Sequence, residues 1–219
     1  NWQKRSWNFE LMRQAPSSIK DREIMRIIAG SAKGKTLFSP PGSKTRPTSD
    51  RAREGLFSSL VSEFSTLSGL HFLDLFAGSG AVGVEALSRG AMVVHAVESD
   101  GDMGNVAINN FKLVHLPQGE YRVFHTKAEK FLESENSSDK SRYDIIFMDP
   151  PYDLSNTAIE EMLKTIVERG LLQPVGIIAI ERKSKGRPFL WPGELKELKV
   201  RSYGQGSIYY GGYSASVLP

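Results

Sequence analysis

Five apolar runs with helical stretches between them constrain this chain more than any other feature. They are "HFLDLFA" (71–77), "MVVHAVE" (92–98), "YRVFHT" (121–126), "YDIIFMD" (143–149) and "GIIAIER" (176–182). The intervening stretches 81–90, 101–114, 127–135 and 156–169 carry helical periodicity. Strands that read as near-continuous apolar runs are buried on both faces. Their alternation with helices therefore predicts a parallel sheet sandwiched between helical layers. Two later runs, "ELKVRSY" (197–203) and "SIYYGGYSASV" (207–217), flank a "GQG" turn and read as an antiparallel hairpin closing one edge. The expected fold is α/β, with a mostly parallel, seven-stranded, Rossmann-like sheet over 67–219. Ahead of it, 25–66 reads as a small N-terminal extension. It contains a hairpin of "MRIIAG" and "KTLFSP", a Pro/Gly/Ser/Thr loop, and a helix within "PTSDRAREGLFSSLVSEF". Thr48 or Ser49 would cap that helix, and Leu56, Leu60, Val61 and Phe64 would form its apolar face. Residues 1–24 lack clear periodicity and read as a leader or loosely attached segment.

In such sheets ligands bind at the carboxyl ends of the strands, so the residues found there carry the functional reading. After the first run, "LDLFAGSGAVGVEAL" spaces Gly78, Gly80 and Gly83 as G-x-G-x-x-G between a strand and a helix. Such a turn lets a ligand approach backbone at a helix N-terminus, but nicotinamide, flavin and S-adenosylmethionine sites all use it. Two acids narrow the choice. Asp74 stands four residues before Gly78, where it would repel the pyrophosphate of a dinucleotide and attract the methionine ammonium of S-adenosylmethionine. Glu98 ends the second run, where a carboxylate can accept both ribose hydroxyls. The loop residues Phe76, Gly78, Ser79, Gly80 and Gly83, with Asp149 across the crevice, join the expected cofactor site. The alternative makes Asp74 a helix cap and Glu98 a surface acid.

The fourth run ends in "DPPY", Asp149 to Tyr152. This arrangement suits methyl transfer to an amino nitrogen on a conjugated ring, a poor nucleophile because its lone pair is delocalised. Asp149 and the carbonyl of Pro150 can each accept an N–H, which favours a tetrahedral nitrogen with its lone pair available. Pro150 and Pro151 fix the backbone in advance. Tyr152 can stack on the base. A base inside folded nucleic acid must leave its stack to reach such a site. Charge agrees: 24–53 holds seven basic side chains against one acid, Asp50, in a chain of net charge +3. Lys33, Lys35, Lys44, Arg46 and Arg53 are the expected phosphate contacts; a solvated face is the plainer alternative.

Composition excludes other classes. There is no cysteine, hence no disulfide, thiolate metal site or cysteine nucleophile. The four histidines show no ligand spacing, so no metal is expected. No apolar run approaches the roughly 20 residues of a membrane span.

Taken together, "MRIIAGSAKGKTL", "TRPTSDRAREGLFSSL", "FLDLFAGSGAVGVEALSRGA", "VESD" and "MDPPY" resemble the bacterial 16S rRNA guanine-N2 methyltransferases, from residue 25 to about 213. The resemblance implies a class I methyltransferase fold, S-adenosylmethionine as cofactor, and a guanine of small-subunit rRNA, free or in an assembling subunit, as target. It also implies that the "TRPTSDR" loop covers the cofactor, which adds Arg46, Thr48 and Arg51 as site candidates, and that adenine lies near Lys127 and Ala128. A monomer is expected. The residues ahead of Met25 depart from the bacterial pattern and suggest an organellar, plastid member; otherwise the protein is expected in the cytoplasm. The long "FLESENSSDKSR" segment departs too and reads as a surface insertion. Three readings stay open beside this one: an adenine-N6 methyltransferase, a glutamine side-chain methyltransferase, and a non-catalytic RNA-binding assembly factor.

Overall fold

The structure is a computed structural model describing residues 25–39, 50–114, 119–135, 143–185 and 189–214. Its strands are β1 (His71–Asp74), β2 (Val93–Glu98), β3 (Glu120–His125), β4 (Tyr143–Met148), β5 (Leu172–Lys183), β6 (Leu195–Tyr203) and β7 (Gly206–Tyr213). Its helices are α1 (Asp50–Phe64), α2 (Ala81–Ser88), α3 (Gly101–Phe111), α4 (Ala128–Ser134) and α5 (Asn156–Glu168). All seven strands join one sheet in the order β3-β2-β1-β4-β5-β7-β6. β1 to β5 pair in parallel; β7 runs antiparallel between β5 and β6, so the late hairpin closes the edge as expected. This is the class I methyltransferase arrangement.

Alternation along the buried strands divides the core. Phe72, Ile145, Phe147, Ala179 and Ile208 face α1, α2, Phe111 of α3 and the N-terminal segment. Leu73, Ile146, Met148, Ile178 and Ile180 face α4 and α5. The chain reverses its direction of travel across the sheet between β1 and β4, and this opens a crevice at their carboxyl ends.

The N-terminal hairpin reduces to one antiparallel bridge, Arg26 with Thr36, supported by the bonds Ile27 N to Lys35 O and Leu37 N to Met25 O. Met25, Ile27 and Leu37 nevertheless enter the main core. Helix α1 buries Leu56, Leu60 and Phe57, whereas Val61, expected on the apolar face, is exposed. Phe57 stacks near Phe72 of β1, ring centroids 6.2 Å apart, and rotates the buried face away from Val61. The proposed caps Thr48 and Ser49 lie outside the described residues.

Candidate active site at the carboxyl edge of the sheet

Asp74 ends β1 with only 1% of its surface exposed. One oxygen accepts from the N–H of Gly83 at 3.2 Å; the other, Oδ1, has no hydrogen-bond partner of good geometry. Burial pushes its pKa from 3.8 to about 8, and the neighbouring charges of Asp149 and Glu98 push the same way. The backbone N–H groups of Gly83 and Phe76 oppose the rise. A buried carboxyl with an idle oxygen is costly on its own and is relieved by a cation. One oxygen thus steadies α2, as the helix-capping alternative expects, and the other makes no such bond. The set fits the ammonium of S-adenosylmethionine.

The glycine loop is held almost wholly by backbone. Leu75 N donates to Phe147 O and Ala77 N to Val97 O, both at 3.0 Å, and Gly80 N donates to Ala77 O at 2.7 Å. Gly78 and Gly80 have φ of +53° and +75°, which favours residues without a Cβ. A Cβ on Gly78 would meet nothing nearer than 3.8 Å, so its open side faces the crevice. Gly80 and Gly83 serve packing instead. A Cβ on Gly80 would lie 3.0 Å from Ala107 of α3, and one on Gly83 2.8 Å from Phe111. Gly83 thus reaches the site only through its N–H on Asp74, which corrects its expected place among the cofactor contacts. Ser79 offers its carbonyl to Asn110 Nδ2 at 2.8 Å. Asn110 is fully buried and also clamps Phe38 through both backbone groups.

Glu98 ends β2 and holds the loop. It accepts from Gly78 N at 2.8 Å and Asp100 N at 2.7 Å, tying the loop to the start of α3. Thr126 N donates to Glu98 O, which brings the β3–α4 connection alongside. Ala128 opens α4 there with its methyl group in the core, and Phe76 packs against the same cluster.

Across the crevice, Asp149 follows β4 and is partly exposed. The register Asp74 with Phe147 puts Asp149 two residues beyond, on the same face of the sheet. Pro150 is buried and Pro151 exposed. Tyr152 is 44% exposed, with the Lys183 ammonium 5.0 Å from its ring centroid. The two prolines donate no N–H, so at those positions the backbone can be anchored only through carbonyls. Arg182 on β5 does that, donating from Nη1 to Pro151 O at 3.0 Å and from Nη2 to Leu154 O at 2.8 Å. Burial lowers its pKa, and the nearby Tyr152, Asp149 and Asp153 oppose that. Sequence reasoning passed over Arg182, although its place at the carboxyl end of a parallel strand was a usable signal.

The basic segment divides. Lys33 and Lys35 are exposed, and Lys35 Nζ also donates to Leu113 O at 2.6 Å. Their turn docks on α2's last residue, with Ser31 N on Ser88 O at 2.8 Å. Arg51 is exposed on the first turn of α1. Lys44, Arg46 and Thr48 lie outside the described residues. Arg53 is not an RNA contact: it is fully buried, bound to Arg26 O at 2.5 Å and Asp50 at 2.8 Å, with Glu85 3.9 Å away. Glu85 also receives Ile28 N, Ala29 N and Arg89. This buried charge network joins the N-terminal segment, α1 and α2. Among the described residues no helix is long and apolar enough to cross a membrane, and no group of acids and histidines could hold a metal.

The family model described as "Conserved hypothetical protein 95" matches residues 25–211. The putative rRNA methyltransferase YlbH of Bacillus subtilis is 33% identical over 180 residues, 82% of this chain and 94% of that one. The Ribosomal RNA small subunit methyltransferase D of Escherichia coli K12 is 35% identical over 157 residues, 72% of this chain and 74% of that one. Among solved structures, the putative methyltransferase yhhF from Escherichia coli superposes with a TM-score of 0.72 at 29% identity, covering 87% of this chain and 98% of that one. The chain belongs to the family of the small-subunit ribosomal RNA methyltransferase D proteins.

Proposed function

We propose that this protein transfers the methyl group of S-adenosylmethionine to the exocyclic N2 of a guanine in small-subunit rRNA. The coarser statement, methylation of rRNA with S-adenosylmethionine, rests on the family and fold. One observation carries the choice of an exocyclic amine as target, and the choice of guanine follows the family resemblance. The idle, buried oxygen of Asp74 stands one strand away from the rigid acceptor pair of Asp149 and the Pro150 carbonyl, on the same face of the sheet.

S-adenosylmethionine supplies an activated methyl group and is left as S-adenosylhomocysteine. Asp74 holds its ammonium, Glu98 its ribose, and Gly78 leaves open the path to the loop; Phe76, Ser79 and Ala128 line the same edge. On the target side, Asp149 and Pro150 accept the N–H groups of N2, so its lone pair leaves conjugation with the ring. That pair forms the new N–C bond, and the proton N2 sheds has the Asp149 carboxylate to receive it. Pro150 and Pro151 hold the acceptors still, and the exposed Tyr152 ring stacks on the extruded base. Lys33 and Lys35, with Lys44, Arg46, Arg51 and Thr48 of the adjoining segment, serve the phosphates and the cofactor cover.

Incubation with methyl-labelled S-adenosylmethionine and unmethylated small-subunit RNA tests this. Label in the RNA is expected. Label in protein alone would favour the glutamine reading, and cofactor binding without transfer to RNA would favour the assembly factor.

A further inference from the structure

Glu181 is 8% exposed, and nothing in the chemistry above uses it. Phe147 pairs with Ala179 and Met148 with Ile180, so Glu181 stands level with Asp149 and shares its face of the sheet. Its head leans toward the carboxyl edge: Oε1 lies 3.0 Å from where a Cβ on Gly206 would be. The hydroxyl of Tyr152 lies 3.7 Å from the same point. Gly206 has no positive φ, so its backbone does not demand a glycine; the room does. A glycine on β7 thus keeps open the space where a buried carboxylate meets the ring expected to stack on the base.

We infer that Glu181 is the specificity-determining residue that reads guanine, accepting N1–H while Asp149 and Pro150 take N2. This rests on the function proposed above. The Watson–Crick edge of guanine presents N1–H and N2–H side by side, two donors that suit neighbouring carboxylates. Adenine presents a lone pair at N1, which a carboxylate repels. Sites built to bond a substrate N–H reject analogues lacking it, because a buried polar group is left unpaired. Asp149 and Pro150 alone accept any exocyclic amine; Glu181 adds the preference for one base.

The test compares single-turnover rates of the whole protein on a small-subunit RNA fragment whose mapped target is either guanine or 2-aminopurine. The latter keeps the 2-amino group but has a lone pair at N1. Wild type should prefer guanine by roughly 10- to 100-fold. Glu181→Met should erase most of that preference by slowing guanine and sparing 2-aminopurine, and Glu181→Gln should fall between. Equal wild-type rates on the two bases would overturn the inference. So would Glu181→Met or Glu181→Gln slowing both bases by one factor, as a merely structural residue would. Failure of wild type to methylate guanine at all would instead sink the underlying reading.

Discussion

The two loops that leave the sheet at the crevice are built on opposite plans. The glycine loop after β1 has its N–H groups bonded to strand neighbours and to Glu98, and its Ser79 carbonyl bonded to Asn110. The turn after β4 opens with two prolines that have no N–H to give, and Arg182 secures it through carbonyls. One loop is positioned by backbone bonds to the sheet; the other draws on ring constraint and on the Arg182 side chain. This division suits an enzyme whose small cofactor meets a preformed cradle while a large RNA presents its base at an accessible edge. It also means that single substitutions should separate the halves.

The largest separation is expected at Asp149. Asp149→Ala should leave the melting temperature and cofactor affinity near wild type while single-turnover methyl transfer falls roughly 100-fold or more. Asp149→Asn should do less harm, since an amide oxygen still accepts.

Asp74 breaks the other half and carries a pH signature. Its folded pKa of about 8 lies above its ordinary 3.8. The stability it contributes is complete below about 3.8 and is lost as pH rises through 8. The unliganded protein should therefore lose stability through this group over that window, while a bound cation favours the ionised form. Asp74→Asn should flatten the pH dependence of the unliganded melt and weaken cofactor binding roughly 10- to 100-fold, as for a charged partner lost from a buried site. Thermal melts across pH and calorimetry check both. RNA affinity should be indifferent to it.

Arg182→Met should unpin the proline turn, lowering kcat about tenfold or more with cofactor affinity unchanged. Free guanidinium should restore part of the loss, and Arg182→Lys should fall between. If Arg182→Met instead loses cofactor binding, the halves are not independent.

The smallest effects belong to the periphery. Lys33→Ala or Lys35→Ala should weaken RNA binding a few-fold and lower the salt slope by about one unit or less, with cofactor affinity unchanged. Slopes that do not move would return the hairpin lysines to a solvated face.

The same contrast explains what could be read without a structure. Period and alternation placed every strand and helix of the sheet because burial on both faces writes itself into consecutive residues. The places of Asp74, Glu98 and Asp149 at the carboxyl ends of strands were legible because the apolar runs stop there. What escaped depends on partners distant in the chain. Arg53 looks like a phosphate contact until Glu85, 32 positions on, is seen beside it in the core. Gly83 looks like a ligand contact until Phe111 fills the space above it. Arg182 and Glu181 sit in "GIIAIERK", whose charged end reads as an ordinary exit to solvent until β4 and β7 are laid beside it. Val61 satisfies the helical period as well as Phe57 does, and only packing against Phe72 decides between them.

Both halves converge on one product, so nuclease digestion and mass spectrometry of RNA methylated by the wild-type protein test the account most directly. A single new modified nucleoside, N2-methylguanosine, is expected, and it should be absent when Asp149→Ala replaces wild type over the same interval. N6-methyladenosine in its place, or methylation undiminished by Asp149→Ala, would contradict it.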